Sequence, residues 1–270
     1  MQIGIVGLGR MGGNMARRLM RHQHKVVVYD RSQEVVAGLA KEGATAATDF
    51  ADLIQKLSKP RAIWLMVPAG NATEEALEHL RPFVEEGDTI IDGGNSFYKD
   101  DVQRSDSLKK QGIHYLDVGI SSGVWGFERG YCLMIGGDAE ATKRLEPIFE
   151  ALAPGQGEIP TSPGRGKFSS TAEKGFFYCG PSGAGHFVKM VQTGIKSALM
   201  RAYAEGLDIL RGAKSDALPP ECRYDFNTAD IVELWRRGSA VRSRLLDLTA
   251  MALAKDPELF HRLRAGLRRR

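Results

Sequence analysis

The chain has 270 residues, 43% of them hydrophobic and 26% charged, with a formal charge of +4 at pH 7. These are the proportions of a soluble globular protein holding one large domain or two smaller ones. The positive excess sits at the end, where His261 to Arg270 hold five arginines and no acid, so a nucleic-acid or membrane-binding surface on the folded body is not expected. Cys132, Cys179 and Cys222 are widely spaced and form no CxxC, as in a reduced cytoplasmic protein without a thiolate metal site. The N-terminus lacks a positive n-region and reads as a first strand, and no apolar run reaches membrane-spanning length.

Residues 2–6 read as a short buried strand, followed by Gly7-Leu8-Gly9-Arg10-Met11-Gly12. A helical pattern then runs to about His22, and a second strand from Lys25 to Tyr29 ends at Asp30. This order is the context in which GxGxxG binds a dinucleotide. The first glycine permits a tight turn, the second lets the backbone approach a pyrophosphate, and the third lets helix and strand approach closely. The helix N-terminus offers free N–H groups and a positive dipole end to the phosphates. Asp30 is placed to accept from the ribose hydroxyls and to repel a 2′-phosphate, which favours NAD over NADP. Arg31 pulls the other way, since a guanidinium there could hold a 2′-phosphate, so NADP stays open.

Strands and helices continue to alternate. Strand Ala62 to Val67 runs into Pro68-Ala69-Gly70, with a helix from Thr73 to about Val84. Strand Thr89 to Ile91 leads into Asp92-Gly93-Gly94-Asn95-Ser96, followed by a helix from Asp100 to Lys110 and a strand from Ile113 to Val118. Ligands bind at the carboxyl ends of parallel strands, so segments 67–70, 92–96 and 119–123 are expected to face the cofactor, with Val67, Pro68 and Ala69 among its contacts. The Asn95 amide can donate and accept at once, bridging nicotinamide and substrate; equally, an Asn in a glycine-rich turn can be only a left-handed turn residue. Residues 154–180 form a long Gly-, Pro-, Ser- and Thr-rich loop in which only Phe176 to Cys179 looks strand-like.

The remainder is helical, at 184–210, about 228–237 and 239–254. The expected organisation is a Rossmann-type α/β domain over 1–179 and an all-α domain over 180–270 that looks shortened. The helix from Ala184 is apolar over most of its surface (Phe187, Val188, Met190, Val191, Ile195, Leu199), as in a buried helix. His186, Lys189, Gln192, Thr193 and Lys196 recur on one narrow face. Long cations on a buried helix need a ligand, a partner or water, so this stripe reads as the wall of a site, or else as a solvated outer face.

With Lys189 and its neighbours placed, the chain resembles 6-phosphogluconate dehydrogenase (decarboxylating), in its short bacterial branch, within the β-hydroxyacid dehydrogenase superfamily. The likeness runs from Gln2 to about Pro257. It rests on Gly7–Gly12, on Asp92-Gly93-Gly94-Asn95-Ser96, on Gly123-Val124-Trp125-Gly126, on Gly130-Tyr131-Cys132-Leu133-Met134-Ile135-Gly136-Gly137 and on Gly185-His186-Phe187-Val188-Lys189-Met190. It implies an NAD-dependent oxidative decarboxylation of 6-phosphogluconate to ribulose 5-phosphate, a step of the pentose phosphate pathway, by a cytoplasmic homodimer. Lys189 would be the base, Asn95 with Ser121, Ser122 and Gly123 would hold the substrate, and Arg242 would contact its phosphate.

The chain departs from the family at one place above all. The family continues His-Asn-Gly-Ile-Glu-Tyr, where this chain has Gln192-Thr193-Gly194-Ile195-Lys196-Ser197. Lys196 stands where the family has its proton donor, and Ser197 where a Tyr reaches the phosphate; Ser121-Ser122 replaces Ser-Gly. Residues 258–270 do not align to the family's tail, and read as a basic arm, a replacement phosphate ligand or an altered end. Three functions follow: the family reaction with Lys196 replacing the acid, a dehydrogenase or reductase retuned to another β-hydroxy acid, or a catalytically weak NAD-binding protein.

Overall fold

A computed structural model describes residues 1–121, 125–157, 159–164 and 170–256. Ser122 and Gly123 lie outside them, as does the basic end. The chain divides into two units, Met1–Val191 and Gln192–Arg270.

The first unit is built on one sheet of eight strands: β1 (Gln2–Val6), β2 (Lys25–Tyr29), β3 (Thr45–Ala46), β4 (Ala62–Leu65), β5 (Thr89–Asp92), β6 (His114–Ser121), β7 (Cys132–Gly137) and β8 (Phe176–Gly180). The order is β3-β2-β1-β4-β5-β6-β7-β8. The first six strands are mutually parallel, β7 is antiparallel to β6, and β8 is parallel to β7. This is the doubly wound Rossmann order, whose chain reversal between β1 and β4 opens the ligand crevice.

Both faces of the sheet are covered, so its central strands are apolar throughout. Alternate side chains point to opposite faces. Ile3, Ile5, Val26, Val28, Trp64 and Ile91 pack on helix α1 (Arg10–Arg21) and, farther along the chain, on the helix Glu146–Leu152. Val27, Ile63, Leu65 and Ile90 pack on the other face, under the helices Phe50–Gln55, Asn71–Leu80 and Tyr98–Lys109. In chain order the helices after α1 are α2 (Gln33–Lys41), α3 (Phe50–Gln55), α4 (Asn71–Leu80), α5 (Tyr98–Lys109), α6 (Gly126–Arg129), α7 (Ala139–Arg144), α8 (Glu146–Leu152), α9 (Ala184–Gly212), α10 (Thr228–Gly238) and α11 (Arg244–Lys255).

One side chain fastens α1 to the far part of this unit. Arg18 is 7% exposed, and its guanidinium donates to the carbonyls of Ala151 (3.0 Å), Leu152 (3.1 Å), Ala153 (2.7 Å) and Phe127 (3.1 Å). It thereby satisfies carbonyls that the end of α8 leaves without intrahelical partners.

The second unit holds the rest of α9 with α10 and α11. Its core is Leu207, Val232, Leu246, Ala250 and Leu253, with Met200, Tyr203 and Trp235 packed against them. Ser243 caps α11 by accepting from Leu246 N, which is why this helix starts five residues later than the periodicity predicts.

The two units meet within the span of α9, whose first turn lies hard against the sheet. A methyl group on Gly185 would strike the backbone of Asp117 and Met134 and lie 2.8 Å from Gly136 N. One expectation is corrected: α9 is not a buried helix in the single chain, for Phe187, Val188, Met190, Val191, Ile195 and Leu199 are 39–59% exposed.

Candidate functional site

The carboxyl end of β1 turns sharply at Gly7, whose φ of +90° glycine adopts without strain and residues with a Cβ do not. A side chain on Gly12 would strike the carbonyl of Gly7, so the third glycine of the motif is needed to bring α1 onto the turn. Gly9, by contrast, faces open space, with nothing within 4 Å of a would-be Cβ. It caps α1 without a side-chain hydrogen bond, and the first turn of α1 holds no acid. Free N–H groups and an uncrowded backbone are what a pyrophosphate requires. Leu8 is buried, Met11 half-buried, and Arg10 exposed.

Asp30, at the end of β2, accepts from Leu8 N through Oδ2 (2.6 Å) and from Ser32 N through Oδ1 (2.9 Å). Each oxygen keeps a lone pair for a ribose hydroxyl. Arg31 is drawn away from this carboxylate: its Nη2 donates to Glu75 Oε2 on α4 at 2.7 Å. Val67, Pro68 and Ala69 follow β4, with Val67 half-buried and the other two exposed. Asn95 is exposed in the turn after β5, and this turn abuts the 67–70 loop, since a Cβ on Gly94 would lie 2.9 Å from Val67 O. Among the described residues the one non-glycine with positive φ is Gln23, so Asn95 is not a left-handed turn residue.

Lys189 stands over β6. A side chain on Gly119 would overlap Lys189 Cβ and come within 3.1 Å of its Cγ. Ser121 is half-buried at the end of the same strand, opposite Cys132. The Cys132 thiol is pushed up by burial, and the charge of Lys189 works against that shift. Gln192, Thr193, Lys196 and Ser197 continue along α9 in the second unit, Gln192 half-buried and the others exposed. Arg242 is exposed before α11.

Beneath Lys189 and the Asn95 turn lies a buried polar network that the sequence reading did not assemble. Asp92 accepts from Gly94 N (2.9 Å) and Ser96 Oγ (2.6 Å), which holds the Asn95 turn. Arg104 reaches Asp92 (3.2 Å), Asp101 (3.4 Å) and Glu74 (2.6 Å). Tyr115 donates its hydroxyl to Asp101 (2.9 Å) and Asp92 (3.2 Å). Asp101 in turn meets His186 Nδ1 at 2.7 Å. Asp117 accepts from Gly183 N (2.7 Å) and His186 N (2.9 Å), clamping the start of α9. Asp92, Asp101, Arg104, Tyr115, Asp117 and His186 are each 5% exposed or less.

Burial alone would depress the His186 imidazole, but the hydrogen bond and charge of Asp101, with Asp92 and Asp117 beyond, raise it above its ordinary value. Burial pushes the Asp117 carboxyl up against the pull of its two backbone N–H partners. The network is costly to break, since removing one partner of a buried ion pair typically destabilises by about 3–5 kcal/mol. A signal for it was present in the sequence: Asp92 and Asp117 are lone acids in apolar strands, tolerable only with partners.

Comparisons with known proteins identify the family. Residues 2–160 match the family model described as the NAD binding domain of 6-phosphogluconate dehydrogenase. An NAD(+)-dependent, decarboxylating 6-phosphogluconate dehydrogenase from Haloferax volcanii is 38% identical over 256 residues, covering 95% of this chain and 76% of that protein. The chain belongs to the 6-phosphogluconate dehydrogenase family. A Bacillus subtilis member described in the same words is 37% identical over 260 residues, with 95% of this chain but only 51% of that protein covered. Structures of Plasmodium falciparum 6-phosphogluconate dehydrogenase, solved apo, with NADP+ and with 6-phosphogluconate, superpose with a TM-score of 0.78 at 28% identity, over 94% of this chain and 51% of that one. As a member of this family the chain is an NAD(P)-dependent oxidoreductase of the CH–OH class. Among the described residues no helix is long and apolar enough to cross a membrane.

Proposed function

We propose that the chain catalyses the NAD-dependent oxidative decarboxylation of 6-phosphogluconate. The observation that carries the reading is Lys189, seated on Gly119 and joined through one buried network to the Asn95 turn, in a chain of this family. Bound NAD supplies the hydride acceptor. The Gly7–Gly12 turn and the start of α1 would hold its pyrophosphate, Asp30 its ribose, and the 67–69 loop its nicotinamide half. Lys189 takes the proton of the substrate's 3-hydroxyl as C3 loses hydride. The C1–C2 bond of the β-keto acid so formed breaks to release CO2, its electrons passing toward the C3 ketone as an enediol, and a proton added to C2, which becomes C1 of the product, gives ribulose 5-phosphate. A base of this kind must be partly neutral, which desolvation and nearby positive charge favour. Asn95 and Ser121 orient the substrate, with Ser122 and Gly123, and Arg242 binds its phosphate.

A second reading rests on residues 192–197. With Lys196 in place of the family's Glu, the proton donor at C1 is changed, and loss of a general acid costs about 10²–10⁴ in rate. The pocket then suits another β-hydroxy acid. The test is nicotinamide reduction with 6-phosphogluconate, run with NAD and with NADP, with CO2 release followed in parallel. Turnover with stoichiometric CO2 supports the first reading. NAD binding without turnover supports the second, and restoring His, Asn, Glu and Tyr at 192, 193, 196 and 197 then raises phosphogluconate turnover.

The apolar residues exposed along α9 favour a homodimer in which a second copy covers them, because exposed apolar patches of this kind mark interaction surfaces. Light scattering on the purified protein decides this.

A further inference from the structure

The polar network joins two elements that the proposed chemistry needs at a fixed separation. At one end Asp92 holds the turn that presents Asn95, through Gly94 N and Ser96 Oγ. At the other, Asp117 holds the backbone at Gly183 and His186, one turn before Lys189. Between them Asp101 takes the His186 ring on one side and Tyr115 and Arg104 on the other.

A metal role for the cluster fails on chemistry. The ligand atoms of Asp92, Asp101 and His186 lie within 4.8 Å of one another. However, the Arg104 guanidinium donates to both carboxylates and supplies the positive charge there itself. A plain stability role explains burial but not the layout. Two of the three carboxylates accept backbone N–H groups of the segments that present Lys189 and Asn95, and the third joins those two segments through the His186 ring. Buried and hydrogen-bonded groups of this kind have one arrangement, not a continuum.

We infer that Asp101 and Asp117 are positioning residues, which fix Lys189 and Asn95 relative to each other through a single buried network. Neither touches substrate; both act through His186 and the first turn of α9. The inference rests on Lys189 as the base of the proposed reaction, and it extends that reading to residues outside the pocket.

The test uses Asp101→Asn and Asp117→Asn in the full chain, with Leu53→Ala as a comparison that weakens the core under β1 and β2 without touching the network. Two readouts are taken. The first is the rate of Lys189 acylation by trace acetic anhydride, measured by peptide mass spectrometry relative to the exposed lysines. The second is steady-state turnover with 6-phosphogluconate and NAD. Both aspartate variants change the relative acylation rate of Lys189 and lower kcat by about 10- to 100-fold, the cost of a misplacement near 1 Å, with KM for NAD unchanged. Leu53→Ala leaves the Lys189 rate at its wild-type value. Tyr115→Phe deletes one hydroxyl between Asp92 and Asp101, and gives a smaller change in the same direction where an aspartate variant does not fold. Wild-type Lys189 labelling in the network variants, or an equal change in Leu53→Ala, overturns the inference. Acylation needs no substrate, so a wild-type chain inactive on 6-phosphogluconate would sink the proposed function while the labelling still decides the network.

Discussion

Replacing Gly119 by alanine is the sharpest single test of how Lys189 is placed. The added methyl carbon would overlap Lys189 Cβ, lie 3.1 Å from its Cγ and sit 2.9 Å from the carbonyl oxygen of Gly185. Ordinary contact begins near 3.4 Å. Two of these neighbours are backbone or Cβ atoms that cannot swing aside, so α9 must lift from β6. A shift of about 1 Å at a reacting group costs about 10²-fold in rate, and that is the expected fall in kcat for Gly119→Ala. The Gly7–Gly12 turn and Asp30 are untouched, so NAD affinity measured by calorimetry stays within about twofold. Gly38→Ala serves as the comparison: this residue lies in α2 with nothing within 4 Å of its would-be Cβ, and a helical Gly→Ala change is neutral to stabilising by about 0.5–1 kcal/mol. If Gly119→Ala keeps kcat within threefold of wild type, the close seating of Lys189 on β6 is not what positions it, and the reasoning fails.

Two further predictions follow from charges. Glu75→Gln frees Arg31 from its 2.7 Å ion pair and removes a negative charge from the region where a 2′-phosphate would lie. The ratio of kcat/KM with NADP to that with NAD rises by about two- to fivefold, the modest worth of an exposed pair; an unchanged ratio means that Asp30 alone sets the preference. The second concerns pH and stability. His186 has a raised folded-state value, so between the unfolded value near 6.5 and that higher one the folded state binds more protons. Its stabilisation is complete below about pH 6.5 and is lost as pH rises through the folded value. Asp117, also raised, acts in the same direction from a lower starting pH. Urea unfolding at pH 6 and pH 8 gives lower stability at pH 8, and His186→Gln flattens the difference; greater stability at pH 8 in the wild type would refute the sign.

The parts of the fold legible in the sequence are those whose signals are local. β1, α1 and β2 carry a glycine motif between apolar strands; both strands and the end of α1 are read to within a residue, whereas α1 begins at Arg10, inside the glycine motif. The stretch from Gln33 to Gln55 carries no local pattern that separates its elements. Its strand is two residues long, too short for any alternation, and its helices α2 and α3 are brief. β7 was noticed as a motif and not as a strand, because its reversal against β6 depends on pairing with residues 116–121, which no local pattern encodes. The same limit governs the site. Gly9, Asp30 and Asn95 lie in recognisable turns, whereas Asp101 meets His186 across 85 residues and Asp117 meets it across 69. His186 itself stood out, as part of a polar stripe on an apolar helix, but its partners did not. The exposure of Phe187, Val188 and Met190 is illegible for a related reason: an apolar residue announces that it will be covered, and not which surface will cover it.

Arg18 bears on the thermodynamics of cofactor association. By bonding five carbonyls outside its own helix, it bolts the last turns of α1 to the end of α8 and to α6. The helix is therefore held at the end opposite the Gly7–Gly12 turn by bonds that involve no cofactor. Ordering entropy on association falls on the nucleotide and on a few exposed side chains such as Arg10, not on the helix. Backbone rearrangement at this end is minimal, and the heat-capacity change reflects the apolar surface the cofactor covers, without a contribution from coupled folding.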